Sequence, residues 1–146
     1  MPSSHAGANP GLKRIFGQTA EKEGVTLTAI RRRAQRQLSK FGVFAREQLD
    51  ARGITIPPGV GLVGCHNCAL TLDGEHPQAE ALYAWIEGNV KLAKNFKEVE
   101  VLFEMLRAAE HPGQTEPVNS CFHIGLTSAG PVAYFQEHLC TPQGNA

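Results

Sequence analysis

Residues 77–112 read PQAEALYAWIEGNVKLAKNFKEVEVLFEMLRAAEHP. Ala79, Leu82, Tyr83 and Ile86 fall at i, i+3, i+4 and i+7, the spacing of one apolar helix face. Pro77 suits a first helical residue, because its missing N–H would be unpaired there anyway. Leu92, Phe96, Val99, Phe103 and Leu106 then follow at steps of four, three, four and three, the face of a second helix. The two stripes are out of phase. One straight helix extending the first stripe would carry Lys97, Glu100 and Glu104 into the core. The chain must therefore break at Gly88-Asn89, a pair suited to a helix C-terminus. The second helix is expected to stop at His111-Pro112-Gly113. A helical pair with two apolar faces needs a partner layer, and the flanking sequence supplies strands.

Downstream, Phe122, Ile124 and Leu126 alternate with Cys121, His123 and Gly125, the pattern of a half-buried strand. Ser128-Ala129-Gly130-Pro131 is a turn, and Val132 to Phe135 pairs back. Upstream, Leu62-Val63 and Ala69 to Leu72 read as hairpin arms around His66-Asn67. Ile54 to Gly59 is an extended connector, since its two prolines forbid helix. Before it, Thr28 suits an N-cap for a helix with Ile30, Ala34, Leu38 and Phe41 as its stripe. Gly42 ends or kinks that helix. Phe44 to Arg52 forms a second piece, which Gly53 terminates. The expected fold is α+β: a helical pair packed on a small antiparallel sheet of hairpins, preceded by a basic helical N-terminal arm. The expected divisions are a flexible N-terminus at 1–11, the arm at 12–53, a compact body at 54–140 and a flexible tail at 141–146.

The chain has 146 residues, 42% hydrophobic and 19% charged, the size and balance of one folded domain. No apolar run approaches the ~20 residues a membrane helix needs. Met1 to Pro10 has no apolar segment of signal-peptide type. The expected location is cytoplasmic, although a non-cleaved export signal would escape this argument. Formal net charge is zero, but it is unevenly placed. Residues 1–52 hold ten Lys/Arg against four Asp/Glu, and the remainder holds four against ten. Either the halves attract each other within the fold, or the basic arm meets an anionic partner. Arg31, Arg32, Arg33, Arg36 and Lys40 are the candidate contacts, with an acidic protein surface or nucleic acid as partner. Trp85 lies off the first stripe. Exposed, it would offer a contact to a partner or to a second copy of the chain, giving a homodimer.

Ala20, Gly24, Val25 and Ile30 have the small–turn–apolar–apolar spacing of a helix-turn-helix. The stretch Thr19 to Ala34 resembles that motif in small phage repressors. The resemblance implies a DNA-binding regulator with Arg31, Arg32 and Arg33 on or near the groove-facing helix. Thr19, Glu23 and Arg33 depart from it, standing where the motif buries apolar side chains.

Four cysteines occur, at 65, 68, 121 and 140. Cys65 and Cys68 flank the hairpin turn, and Cys121 and His123 share a strand face at i and i+2. Together they form a candidate Cys3His zinc set, with His138 and Cys140 in reserve. Reduced thiols without metal are the alternative, and a disulfide is disfavoured in a chain without a secretory signal. The expected cofactor is none, or one structural zinc. Thioredoxin-like chemistry is disfavoured because the Cys-x-x-Cys precedes a strand rather than opening a helix. The motifs of zinc deaminases, serine hydrolases, phosphate loops and dinucleotide sites are missing. The function expected from sequence is therefore a non-enzymatic regulatory or adaptor protein that binds an acidic partner through its basic helix. A helix-turn-helix DNA-binding regulator comes second, and a zinc- or thiol-dependent enzyme third.

Overall fold

In a computed structural model that describes residues 26–65, 68–114 and 120–138, three helices pack on one face of a four-stranded sheet. The helices are α1 (Leu27–Ala51), α2 (Ala79–Ile86) and α3 (Val90–Glu110). The strands are β1 (Val60–Cys65), β2 (Cys68–Asp73), β3 (Ser120–Thr127) and β4 (Gly130–Glu137). Two hairpins, β1–β2 and β3–β4, join through β1 and β3 in the order β2-β1-β3-β4, and every pairing is antiparallel. This is the expected α+β class. The arms of the first hairpin stand as expected, while its turn, His66-Asn67, lies outside the described residues.

The sheet's two faces follow from strand alternation. Val60, Leu62 and Gly64 lie opposite Leu126, Ile124 and Phe122, and this face meets the helices. Gly61 and Val63 lie opposite Gly125 and His123 on the other face. The main core joins both layers: Leu38, Phe41, Ala45 and Leu49 of α1 are buried with Leu62, Phe122, Ile124 and Leu126 of the sheet. Of the expected arm at 12–53, residues 12–25 lie outside the described residues, and the rest is mostly α1. That helix forms a wall of the core. A second cluster, Ile30, Ala34, Leu102 and Leu106, seals the far end of α1 against α3.

The break at Gly88-Asn89 stands as the phase argument requires. Gly88 has φ +69°, and the Asn89 side chain caps α3 by accepting the Leu92 N–H at 3.1 Å. α3 ends at Glu110, with His111 as its cap. Three local expectations are corrected. The N-cap of α1 is Thr26, not Thr28: Thr26 Oγ1 accepts the Ala29 N–H at 3.0 Å. Gly42 neither ends nor kinks the helix, which runs unbroken for 25 residues to Ala51. Its role is steric, because a Cβ there would lie 2.6 Å from Pro131 Cγ of β4. Finally, the inner face of α2 is Leu82, Trp85 and Ile86. Tyr83, expected in the core stripe, is 50% exposed, and Trp85, which lies off that stripe, is 1% exposed. The indole N–H donates to Gln48 Oε1 of α1 at 2.8 Å, so its one polar atom is satisfied inside.

The connector between α1 and β1 is pinned by the loop before α2. His76 is buried, and its Nδ1 accepts the Gln78 N–H at 2.9 Å. Its Nε2 therefore carries the hydrogen and faces Pro58 O at 3.2 Å. Gln78 accepts the Thr55 N–H and donates to Gly53 O, each at 2.9 Å.

The Gly42–Pro131 contact sets the distance between helix and sheet. Gly42→Ala gains about 1 kcal/mol of helix propensity but forces an overlap costing about 1–3 kcal/mol. Chemical denaturation should show net destabilisation, and a second change, Pro131→Ala, should recover most of it. A Gly42→Ala variant more stable than the parent would mean that the helix can simply retreat.

Candidate functional site: a basic seam between two helices

α1 and α3 lie side by side and antiparallel. Arg31 Nη2 bonds Glu110 Oε2 at 2.7 Å, Phe41 meets Phe96 with ring centroids 6.1 Å apart, and Lys91 Nζ stands 5.5 Å over the Phe44 ring. Between these contacts a groove of about 540 Å³ opens along the seam. Arg33 and Gln37 form its α1 wall, and Lys94, Lys97 and Glu98 its α3 wall, with Val101 and Leu102 as an apolar floor. Arg33 Nε is buried and has no hydrogen-bond acceptor. A buried guanidinium donor without an acceptor costs free energy, on the order of 1–3 kcal/mol. Lys97 Nζ lies 3.4 Å from the buried Glu100 Oε1, so part of its charge is answered within α3. Arg36 and Lys40 follow Arg33 at i+3 and i+7 and extend its flank of α1 into solvent.

The candidate partner-binding residues thus divide. Arg32, Arg36 and Lys40 are exposed, and Arg33 lines the seam. Arg31 is tied to Glu110. Trp85 is corrected: its burial against α1 removes it as a contact for a partner or a second copy. Lys94, Lys97, Val101 and Leu102 were missed. Lys94 and Glu98, spaced i and i+4 like an ordinary solvated helical pair, both line the groove. The sequence signal was Lys94, Lys97 and Val101 at i, i+3 and i+7 on one stripe of α3.

The zinc set is corrected as well. Gly64 of β1 faces Phe122 of β3, so one step further Cys65 faces Cys121. These two form a disulfide, Cα to Cα 5.1 Å. Sulfurs bonded to each other are not zinc thiolates, so the four-donor set Cys65, Cys68, Cys121 and His123 does not fit a metal in this structure. The Cys68 side chain and Cys140 lie outside the described residues.

His123 instead joins a polar cluster on the sheet face opposite the described helices. It is 2% exposed, stacks on Tyr134 at 4.9 Å, and its Nε2 lies 3.3 Å from Gln136 O. Its Nδ1 is 3.2 Å from Asp73 Oδ2, within ion-pair distance but off the hydrogen-bond direction. His138 reaches the other oxygen of Asp73 at 3.9 Å. Burial and, second, the Asp73 carboxylate push the Tyr134 phenol above its ordinary pKa. Around His123, the described residues offer no thiolate nucleophile, because the neighbouring Cys121 sulfur is in the disulfide.

A second groove, about 440 Å³, runs between β2 and the α2–α3 corner and is lined by Leu70, Tyr83, Ile86 and Val90 among others. Of the helix-turn-helix stretch, Thr19 to Val25 lies outside the described residues. From Thr26 onward, Ile30 packs on Leu102 and Leu106 of α3. Comparison of the chain with protein-family models, curated proteins and solved structures gave no match.

Two measurements check this geometry. The Cys65–Cys121 bond closes a loop with a sequence separation of 56. Loop-closure entropy for such a length is about 4 kcal/mol. Reduction should lower the unfolding free energy by about 2–4 kcal/mol, and Cys65→Ala/Cys121→Ala should match the reduced protein and ignore reductant. Stability indifferent to reductant in the parent would mean that the bond is absent. For the phenol, Asp73→Asn should bring the Tyr134 midpoint part of the way back in an NMR titration. Full return would contradict burial as the larger cause.

Proposed function

We propose that this is a non-enzymatic regulatory or adaptor protein that binds an acidic partner through the basic flank of α1. The observation carrying this reading is what the α1 cations do not do. Among the described residues, only Arg31 of that helix forms an ion pair with a carboxylate of its own chain. The alternative use for the charge split, attraction between the two halves of the chain, thus accounts for one arginine. Arg32, Arg36 and Lys40 point to solvent on a helix whose opposite face is fixed in the core. A rigid row of cations recognises an anionic surface at little ordering cost, and it speeds encounter at low salt. Membrane insertion is not part of this reading: no described helix is long and apolar enough to cross a membrane.

The test is charge reversal on the solvent side. Arg32→Glu, Arg36→Glu and Lys40→Glu together should leave helix content and thermal melting close to the parent, because surface charges contribute under about 1 kcal/mol each. Binding of poly-glutamate, followed by anisotropy, should weaken at least about tenfold, or ~1.4 kcal/mol. Unchanged binding by the folded variant would refute the proposal. Duplex DNA serves as the second ligand. If it binds tightly with a steep salt dependence while poly-glutamate does not, the DNA-binding alternative replaces this one.

A further inference from the structure

We infer that the partner is an acidic amphipathic helix that lies in the α1–α3 seam, with apolar side chains on Val101 and Leu102 and a carboxylate on Arg33. The inference rests on the acidic-partner reading and specifies what that partner must be.

Three features of the seam select such a ligand. The lining combines apolar and mostly cationic groups: Val101 and Leu102 lie in one groove with Arg33, Lys94 and Lys97, and with the single carboxylate of Glu98. A polyanion without apolar groups would satisfy the cations and leave the floor wet. The Arg33 Nε is already desolvated and lacks an acceptor. Its best complement is a carboxylate brought into the groove, where a charge-assisted hydrogen bond is stronger than in water. Both walls are also helices whose backbone groups are paired internally, so the seam has no strand edge to offer. A partner entering it must satisfy its own backbone, and a helix does so. The groove between two antiparallel helices is also the place where a third helix packs by side-chain interdigitation.

Nucleic acid fits less well. A phosphate backbone has no use for the apolar floor of Val101 and Leu102. From Arg33 to Lys40 the flank spans roughly 10 Å at 1.5 Å per residue, about two helical turns. The matching ligand therefore carries carboxylates at i, i+3 or i+4 and i+7, beside a leucine stripe of the same period.

The experiment uses three probes on the full chain: a synthetic Leu/Glu amphipathic helix, poly-glutamate of equal charge, and duplex DNA. Affinities are read by fluorescence anisotropy at low and moderate salt. The amphipathic helix should bind at least about tenfold more tightly than poly-glutamate, a ratio that salt leaves largely intact because the floor contributes it. Val101→Ser should reduce binding of the amphipathic helix about fivefold and leave poly-glutamate unchanged, since one apolar contact is removed. Arg33→Gln should weaken both. Circular dichroism melts establish that each variant is folded. Equal affinity for the two acidic probes, with Val101→Ser silent, would overturn the helix-in-seam inference while the acidic-partner reading stands. Failure of both acidic probes to bind would overturn the two together, and preference for DNA would overturn them in favour of a nucleic-acid partner.

Discussion

Phe96 occupies the space that a side chain at position 64 would need: a Cβ on Gly64 would lie 2.7 Å from its ring. That vacancy on β1 lets α3 sink onto the sheet and starts a chain of aromatic contacts. Phe96 meets Phe41 of α1 on one side and Phe122 of β3 on the other, at centroid distances of 6.1 and 5.6 Å. Phe122 in turn touches Phe103 of α3 and Phe135 of β4. Tilted and edge-on ring pairs are directional, so they fix orientation as well as burying area. Two helices and two strands are thereby held in one geometry. The seam between α1 and α3 is a by-product of that geometry: their rings meet at Phe41 and Phe96, their aliphatic side chains at Ile30, Ala34, Leu102 and Leu106, and the groove lies along the same junction.

Much of this was legible in local pattern and some was not, for definite reasons. The helix break at Gly88-Asn89 could be read because a phase slip between two stripes has one cheap remedy. The strands could be read because Phe122, Ile124 and Leu126 alternate. Gly42 could not, since the reason for a glycine there is Pro131, a residue distant in sequence that supplies the steric contact. Tyr83 and Trp85 were exchanged because a helix of eight residues is too short for its stripe to settle a face. The choice was made elsewhere, by Gln48 offering the indole an acceptor. The Cys65–Cys121 pair depends on the register between β1 and β3, which no spacing within either strand encodes. Facing cysteines on adjacent strands crosslink in an oxidising compartment and stay apart in a reducing one. The stability of the sheet is therefore tied to where the protein resides.

The candidate site shows the same division. Its α1 wall was visible as charge composition, with Arg31, Arg32, Arg33, Arg36 and Lys40 close together in sequence. Its α3 wall was hidden on a helix whose four basic and four acidic residues balance, where Lys94 and Glu98 pass for an ordinary helical pair. Only the packing of α3 against α1 turns Lys94 and Lys97 into neighbours of Arg33.

That placement bears on why the charges are arranged so. After residue 52 the chain has four basic residues, Lys91, Lys94, Lys97 and Arg107. Two of them line the seam with Arg33, and Lys91 stands over Phe44 of α1. Arg107, by contrast, bonds Ser120 at 3.0 Å and covers the Phe135 ring. A fold selected for stability alone would set the carboxylates of the acidic portion against the arginines of α1. Among the described residues that happens once, at Arg31 and Glu110. Elsewhere along the junction Arg33 shares a groove with Lys94, Lys97 and Glu98, and Lys97 is paired with Glu100 of its own helix. Arg33 carries the desolvation penalty of a donor with no acceptor. That penalty would be relieved by a carboxylate brought into the seam, which is why the proposed acidic-partner reading leans on the unpaired Arg33 Nε more than on the count of basic residues.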